Sequence, residues 1–186
     1  MPRAWIDGLD SGSDSAQAAA RREAYLAEHD LHGLPNSMLG FPEFYETRKT
    51  RMRERLEPLT LIDSLDHITD AQIDRIEGIQ REIELNTDVS RFLVLDREFH
   101  MTSYAACPSE MLLATTLRLW NSTQHYRRAF MLLAGNDRAA VVNAEHRLLL
   151  DAISRRDPED SERFLVGHIR RTRVALTSHP EVFASD

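Results

Sequence analysis

One cysteine, Cys107, stands in 186 residues, so the chain can form neither an internal disulfide nor a multi-cysteine metal site. Long hydrophobic runs are also missing. No apolar stretch approaches the roughly 20 residues that a membrane-spanning helix needs, and the first residues lack the charged-then-apolar layout of a secretory signal. A cytoplasmic location without membrane association is the expectation. Positive charge is in deficit: 23 Lys and Arg against 30 Asp and Glu leave a net charge of −7. That balance argues against a broad phosphate-binding surface, and direct nucleic-acid binding by this chain is not expected. Alternating apolar and polar runs bounded by turns are absent too, so no strand is predicted.

What is present is the material of one globular domain, with 42% hydrophobic and 28% charged residues. One basic cluster, Arg48, Lys49, Arg51, Arg53 and Arg55, lies between Glu43 and Glu57. At about 100° per residue these five side chains point in several directions, as on a solvated helix with one inward-facing arginine.

Helix signals punctuate the rest. Residues 1–15, with Asp7-Gly8 and Asp10-Ser11-Gly12-Ser13-Asp14, read as a flexible tail, followed by a short helix from Ala16 to Glu28 and a loop from Asp30 to Gly40. Pro42 suits the first turn of a helix reaching about Leu65. Thr69-Asp70-Ala71-Gln72 is a capping box that starts a helix through Ile73, Ile76, Ile79, Gln80 and Ile83. Asp88 can cap the next helix, which Cys107-Pro108-Ser109 breaks. Ser109 then caps a long helix to about Leu133, and Gly135-Asn136-Asp137 stops it and caps another ending near Arg155. Asp157-Pro158 opens the last helix, to about Thr177. The expected fold is all-α, an antiparallel bundle of six to seven helices. Residues 1–40 form an N-terminal extension, 41–180 the helical domain and 181–186 a tail.

Three of these helices carry candidate ligands. Asp96 and His100 are spaced i,i+4, which puts both side chains on one face about a turn apart. His146 and His168 sit on the two helices that follow the Ser109 helix. If the three helices pack around a common core, one carboxylate and three imidazoles make an N3O site for a divalent transition metal: zinc, nickel, iron, manganese or cobalt. An octahedral ion would keep two positions for a bidentate carboxylate, whereas a tetrahedral zinc would be saturated and structural. If they do not converge, these are scattered histidines on an acidic helical domain.

The same segments resemble a known family. Arg53-Glu54-Arg55-Leu56-Glu57-Pro58 is similar to the Arg-x-x-Leu-Glu-Pro opening of the FCD domain, the effector-binding domain of FadR-type GntR transcription regulators. Leu95-Asp96-Arg97-Glu98-Phe99-His100 resembles its Asp-x-x-Phe-His motif. Glu145-His146-Arg147-Leu148-Leu149-Leu150-Asp151-Ala152-Ile153 resembles its Glu-His-x-x-Ile/Leu-Leu-x-Ala-Ile segment, and His168 fits its final histidine. The resemblance implies Asp96, His100, His146 and His168 as metal ligands inside the bundle, Arg53 near the pocket, a small organic acid as ligand, and a homodimer. Two i,i+4 pairs, Asn121 with His125 and Gln124 with Arg128, are polar candidates for the pocket wall. The chain departs from the family's regulators in two places. About 40 residues precede the first helix of the domain, with no recognition helix or wing among them, and Pro108-Ser109 replaces the usual Gly-Asn turn.

Two functions follow from this reading. The first is a metal-containing sensor of a small organic acid, without its own DNA-binding domain. The second is a free-standing metalloenzyme using the same site for Lewis-acid or iron and oxygen chemistry on a carboxylate-bearing substrate. For that case His125 is the candidate base, since Glu98 and Glu145 lie off the ligand face, and Tyr25, His29 and His32 could fold over as a lid. Cys107 has no activating neighbour in sequence and reads as a structural thiol.

Overall fold

The computed structural model describes the backbone of residues 42–177, and within it the side chains of residues 48–123, 127, 131 and 139–176. The chain divides into two units, Met1–Gly40 and Phe41–Asp186, and the described residues belong to the second. The expected helix from Ala16 to Glu28, the loop to Gly40, the residues Tyr25, His29 and His32, and the tail 181–186 lie outside them.

Six helices make the described part: α1 Pro42–Leu65, α2 Asp70–Leu85, α3 Val89–Tyr104, α4 Glu110–Ser122, α5 Gln124–Ser154 and α6 Pro158–Thr177. No strand occurs among the described residues. None of the described helices is long and apolar enough to cross a membrane. α1 packs along α6 and α4, α2 along α3 and α5, and α5 along α6.

Local chemistry sets most boundaries. The Thr69 hydroxyl accepts from the Gln72 amide while the Gln72 side chain takes the Thr69 N–H, a complete capping box at the start of α2. Asp88 caps α3 through the Arg91 amide at 2.7 Å, and Ser109 caps α4 through Leu112. Asp157 accepts from the Asp160 amide at 3.0 Å, and Pro158, with no N–H to satisfy, fills the first position of α6.

Two expectations are corrected. The helix starting after Ser109 does not run to Leu133. It ends at Ser122, where the Thr123 hydroxyl bonds the Trp120 carbonyl at 3.0 Å and competes with the helical ladder. Nor does Gly135-Asn136-Asp137 stop a helix, because α5 continues through it.

The core is shared by all six helices. Leu61, Ile76, Phe99, Trp120, Ile153 and Leu165 are fully buried, each from a different helix. Beside this apolar core lies a group of buried polar side chains that includes Glu57, Gln80, Asp96, His100, His146 and His168. Buried polar groups persist in such a place only when each finds a partner.

Candidate metal centre

The helical pairing predicts that Asp96 and His100 share a face, and α3 turns that face inward, leaving both side chains fully buried. α5 brings His146 and α6 brings His168 to the same spot. One candidate ligand atom from each of the four lies within 4.8 Å of the other three. The His146 Nε2 stands 3.5 Å from Asp96 Oδ1, and the His100 Nε2 stands 4.0 Å from the same oxygen. His100, His146 and His168 have ring centroids 5.0–5.3 Å apart, and Phe99 stacks flat on His146 at 4.4 Å.

Each ring has its Nδ1 tied outward. His146 Nδ1 lies 2.9 Å from Gln80 Oε1. Gln80 uses its amide nitrogen on Glu84 and Asn143, so its oxygen faces the ring as an acceptor and His146 Nδ1 carries the proton. His168 Nδ1 lies 2.6 Å from the Glu145 carboxylate, which only accepts. Tyr104 donates its hydroxyl proton to Glu57 at 2.9 Å, which leaves its oxygen to accept from His100 Nδ1 at 3.3 Å. Three different acceptors thus select one tautomer, with a bare Nε2 lone pair facing the cluster.

Asp96 completes the arrangement. Its Oδ2 is held by Arg127 from α5, while its Oδ1 has no hydrogen-bond partner; His100 Nε2 and His146 Nε2 also have none. Unsatisfied acceptors gathered in a dry interior are costly, and a cation is the partner that satisfies them together. The donor set, one hard oxygen and three imidazoles, fits a borderline divalent ion. Burial pushes the Asp96 carboxyl up, but the Arg127 guanidinium paired with it overcomes that and holds the group below the usual carboxylate range. Burial and the neighbouring cations push His146 down to about 3 and His100 well below its ordinary value, so both rings are neutral, as ligands must be.

Arg127 and His146 both reach Asp96, yet on a straight helix their Cα atoms would stand about 28 Å apart. α5 therefore turns between them. Gly135-Asn136-Asp137, where a stop was expected, lies within that interval.

A pocket opens beside the cluster, lined by Thr50, Arg53, Thr123, Arg127, His168 and Ile169, with Thr172 and Leu176. Arg53 is buried and paired with Glu57, also buried, and its Nη1 reaches the Thr123 hydroxyl at 3.2 Å. The basic run on α1 thus turns Arg53 inward and leaves Arg48, Arg51 and Arg55 exposed; Lys49 is buried as well. Arg53 and Arg127 both stack on Trp120, with guanidinium carbons 4.4 and 4.7 Å from the ring centroid.

Of the other sequence candidates, Asn121 is exposed, 3.4 Å from an Arg97 nitrogen, and is not part of the pocket wall. Gln124, His125 and Arg128 occupy the first turns of α5, and their side chains lie outside the described residues. Sequence reasoning passed over Arg127, Gln80, Tyr104 and the Glu145 contact. Glu145 does point off the ligand face, and from there it supports His168 and pairs with Arg171. Cys107 is buried, its thiol 3.9 Å from the Ser109 carbonyl.

Comparison with known proteins gives the same picture. The crystal structure of a GntR-family transcriptional regulator from Pseudomonas syringae pv. tomato str. DC3000 superposes with a TM-score of 0.68 at 19% identity, covering 76% of this chain and 59% of that one. At that identity the likeness establishes the fold, and this chain spans well under two thirds of the regulator. No curated protein matches. The FCD domain family matches residues 50–171, the stretch that holds all four clustered side chains and both arginines of the pocket. With the motif order and the fold in agreement, the chain belongs to the FCD domain family.

Proposed function

We propose that this chain is a ligand-sensing domain that holds one divalent transition metal on Asp96, His100, His146 and His168 and receives a small organic acid in the adjoining pocket. The observation that carries the reading is the set of inward atoms: Asp96 Oδ1, His100 Nε2 and His146 Nε2 are buried without partners, while every Nδ1 is tied outward. The bound ion would supply fixed positive charge to the pocket floor, which favours an anion there. Arg53 and Arg127 present guanidinium groups beside it, suited to a carboxylate. Sensing rather than turnover is preferred because the described wall adds threonines, isoleucine and leucine to the arginines and His168.

Metal analysis of protein purified without chelator, with mass spectrometry of whatever co-purifies, tests the proposal. About one equivalent of a divalent transition metal is expected, falling sharply in His100→Ala and His146→Ala. Wild-type protein without stoichiometric metal, or variants that retain it fully, would overturn the assignment. An organic acid recovered unchanged supports the sensor, and its conversion by the loaded protein supports an enzyme.

A further inference from the structure

Arg127 is 9% exposed, and its two terminal nitrogens have different fates. Nη2 holds Asp96 Oδ2, whereas Nη1 is buried without a hydrogen-bond partner among the described residues. Arg127 also lines the pocket, so a guanidinium arm out of water stands beside a cavity. A buried donor of this kind calls for an acceptor.

Charge identifies the acceptor's class. Arg53 is cancelled by Glu57, Arg127 by Asp96 and Arg171 by Glu145. An imidazole that donates from Nδ1 and offers Nε2 to a metal is neutral. With a divalent ion in the cluster, two positive charges remain at the base of a largely buried pocket. A monoanion would leave one of them uncompensated, which a desolvated site tolerates poorly. A dianion cancels both. Both of those charges belong to the ion, while Ile169 and Leu176 give the pocket an apolar wall. An acceptor needed at the ion, a second at Arg127 Nη1 and an apolar wall beside them favour two carboxylates joined by methylenes over a compact phosphate.

We propose that the pocket takes a short dicarboxylate, one end of which is anchored by Arg127 Nη1. The proposal rests on the metal reading above and deepens it by fixing the ligand's charge and the residue that selects it. Because Arg127 touches both Asp96 and the pocket, it would join ligand binding to the geometry of the cluster.

Calorimetric titration of the full chain loaded with Zn2+ provides the test. The probes are malonate, succinate and glutarate, each set against the monocarboxylate of equal carbon number, together with inorganic phosphate. At least one dicarboxylate is expected to bind about tenfold or more tightly than its matched monocarboxylate and than phosphate. Arg127→Lys keeps a cation for Asp96 but removes the second arm; it is expected to retain Zn2+ and lose that preference. Comparable monocarboxylate binding, tighter phosphate binding, no binding by the panel, or an unaltered preference in Arg127→Lys would overturn the inference and leave the metal assignment standing. Protein that takes up no Zn2+ would overturn both. Loss of Zn2+ from Arg127→Lys alone would show that this residue serves the cluster and not the ligand, and would overturn the anchoring role.

Discussion

At the scale of single residues, the cluster depends on groups that never touch its centre. Gln80, Glu145 and Tyr104 each hold one Nδ1, and each acts by deciding which nitrogen of its histidine stays bare. Replacing such a support commonly costs 10–100-fold in metal affinity. Gln80→Leu, which removes the acceptor for His146 without emptying its space, is therefore expected to weaken metal binding by about 10–100-fold. Competition against a chromophoric chelator measures it, and an unchanged affinity would remove Gln80 from the site. Acid should act on the metal-free protein through the same rings. The His146 value falls from 6.5 to about 3 on folding, because of burial first and then His168. The unfolded chain thus takes up a proton below pH 6.5 that folded His146 refuses until about pH 3. Its contribution to stability is complete above the upper value and is lost as the pH falls between the two. The slope is up to about 1.4 kcal/mol per pH unit for each such ring. Denaturant melts of metal-free protein should show this fall; flat stability across that window would contradict the neutral, buried assignment.

Element boundaries show how much could be read in advance. The caps at Thr69, Asp88, Ser109 and Asp157 were legible because each is a short-range side chain-to-amide bond, written in four consecutive residues. The break at Thr123 was not, since no glycine or proline marks it; it is held by a contact with Arg53 from a distant helix. The four cluster residues were legible from helical spacing and family motifs. Their supports were not, because a glutamine or tyrosine becomes an orienting group only when packing sets it against a particular ring. Arg127 was missed beside Arg128 for the same reason: the path of α5, not local pattern, turns it inward.

The turn between α5 and α6 adds a test at this scale. Asp157 N–H bonds the Ala152 carbonyl and Arg156 N–H bonds the Ile153 carbonyl, a Schellman closure with Arg156 at φ 52°, where glycine is usual. The Arg156 guanidinium reaches Asp70 at 2.6 Å and so ties this turn to the start of α2. Arg156→Ala loses the tie and keeps the strain, whereas Arg156→Gly loses the tie and relieves it. The glycine variant should be the more stable of the two by about 1 kcal/mol in denaturant titration. The reverse order would mean that φ at this position is not the controlling term. Thr69→Ala, which removes the capping oxygen of α2, should cost about 1 kcal/mol in the same assay.

Over the whole molecule, the candidate ligands come from three helices, and Arg127 adds a second hold by α5 on Asp96. No such arrangement survives in an unfolded chain, so an ion held by these side chains would make metal binding and folding one linked equilibrium. Adding a divalent transition metal should raise the melting temperature in proportion to the logarithm of its free concentration, and a chelator should reverse the rise. A melting temperature indifferent to both would exclude the linkage.

A chain with one cysteine has no cystine to hold its loops. Four buried side chains, bridged by an ion, would close the stretches from His100 to His146 and from His146 to His168 as a covalent staple would. Loops of that length are worth about 3–4 kcal/mol each in the chain-entropy view of cross-links. The difference lies in what undoes the staple: reductant would leave it intact, while a competing chelator, or any change in cellular metal supply, would open it.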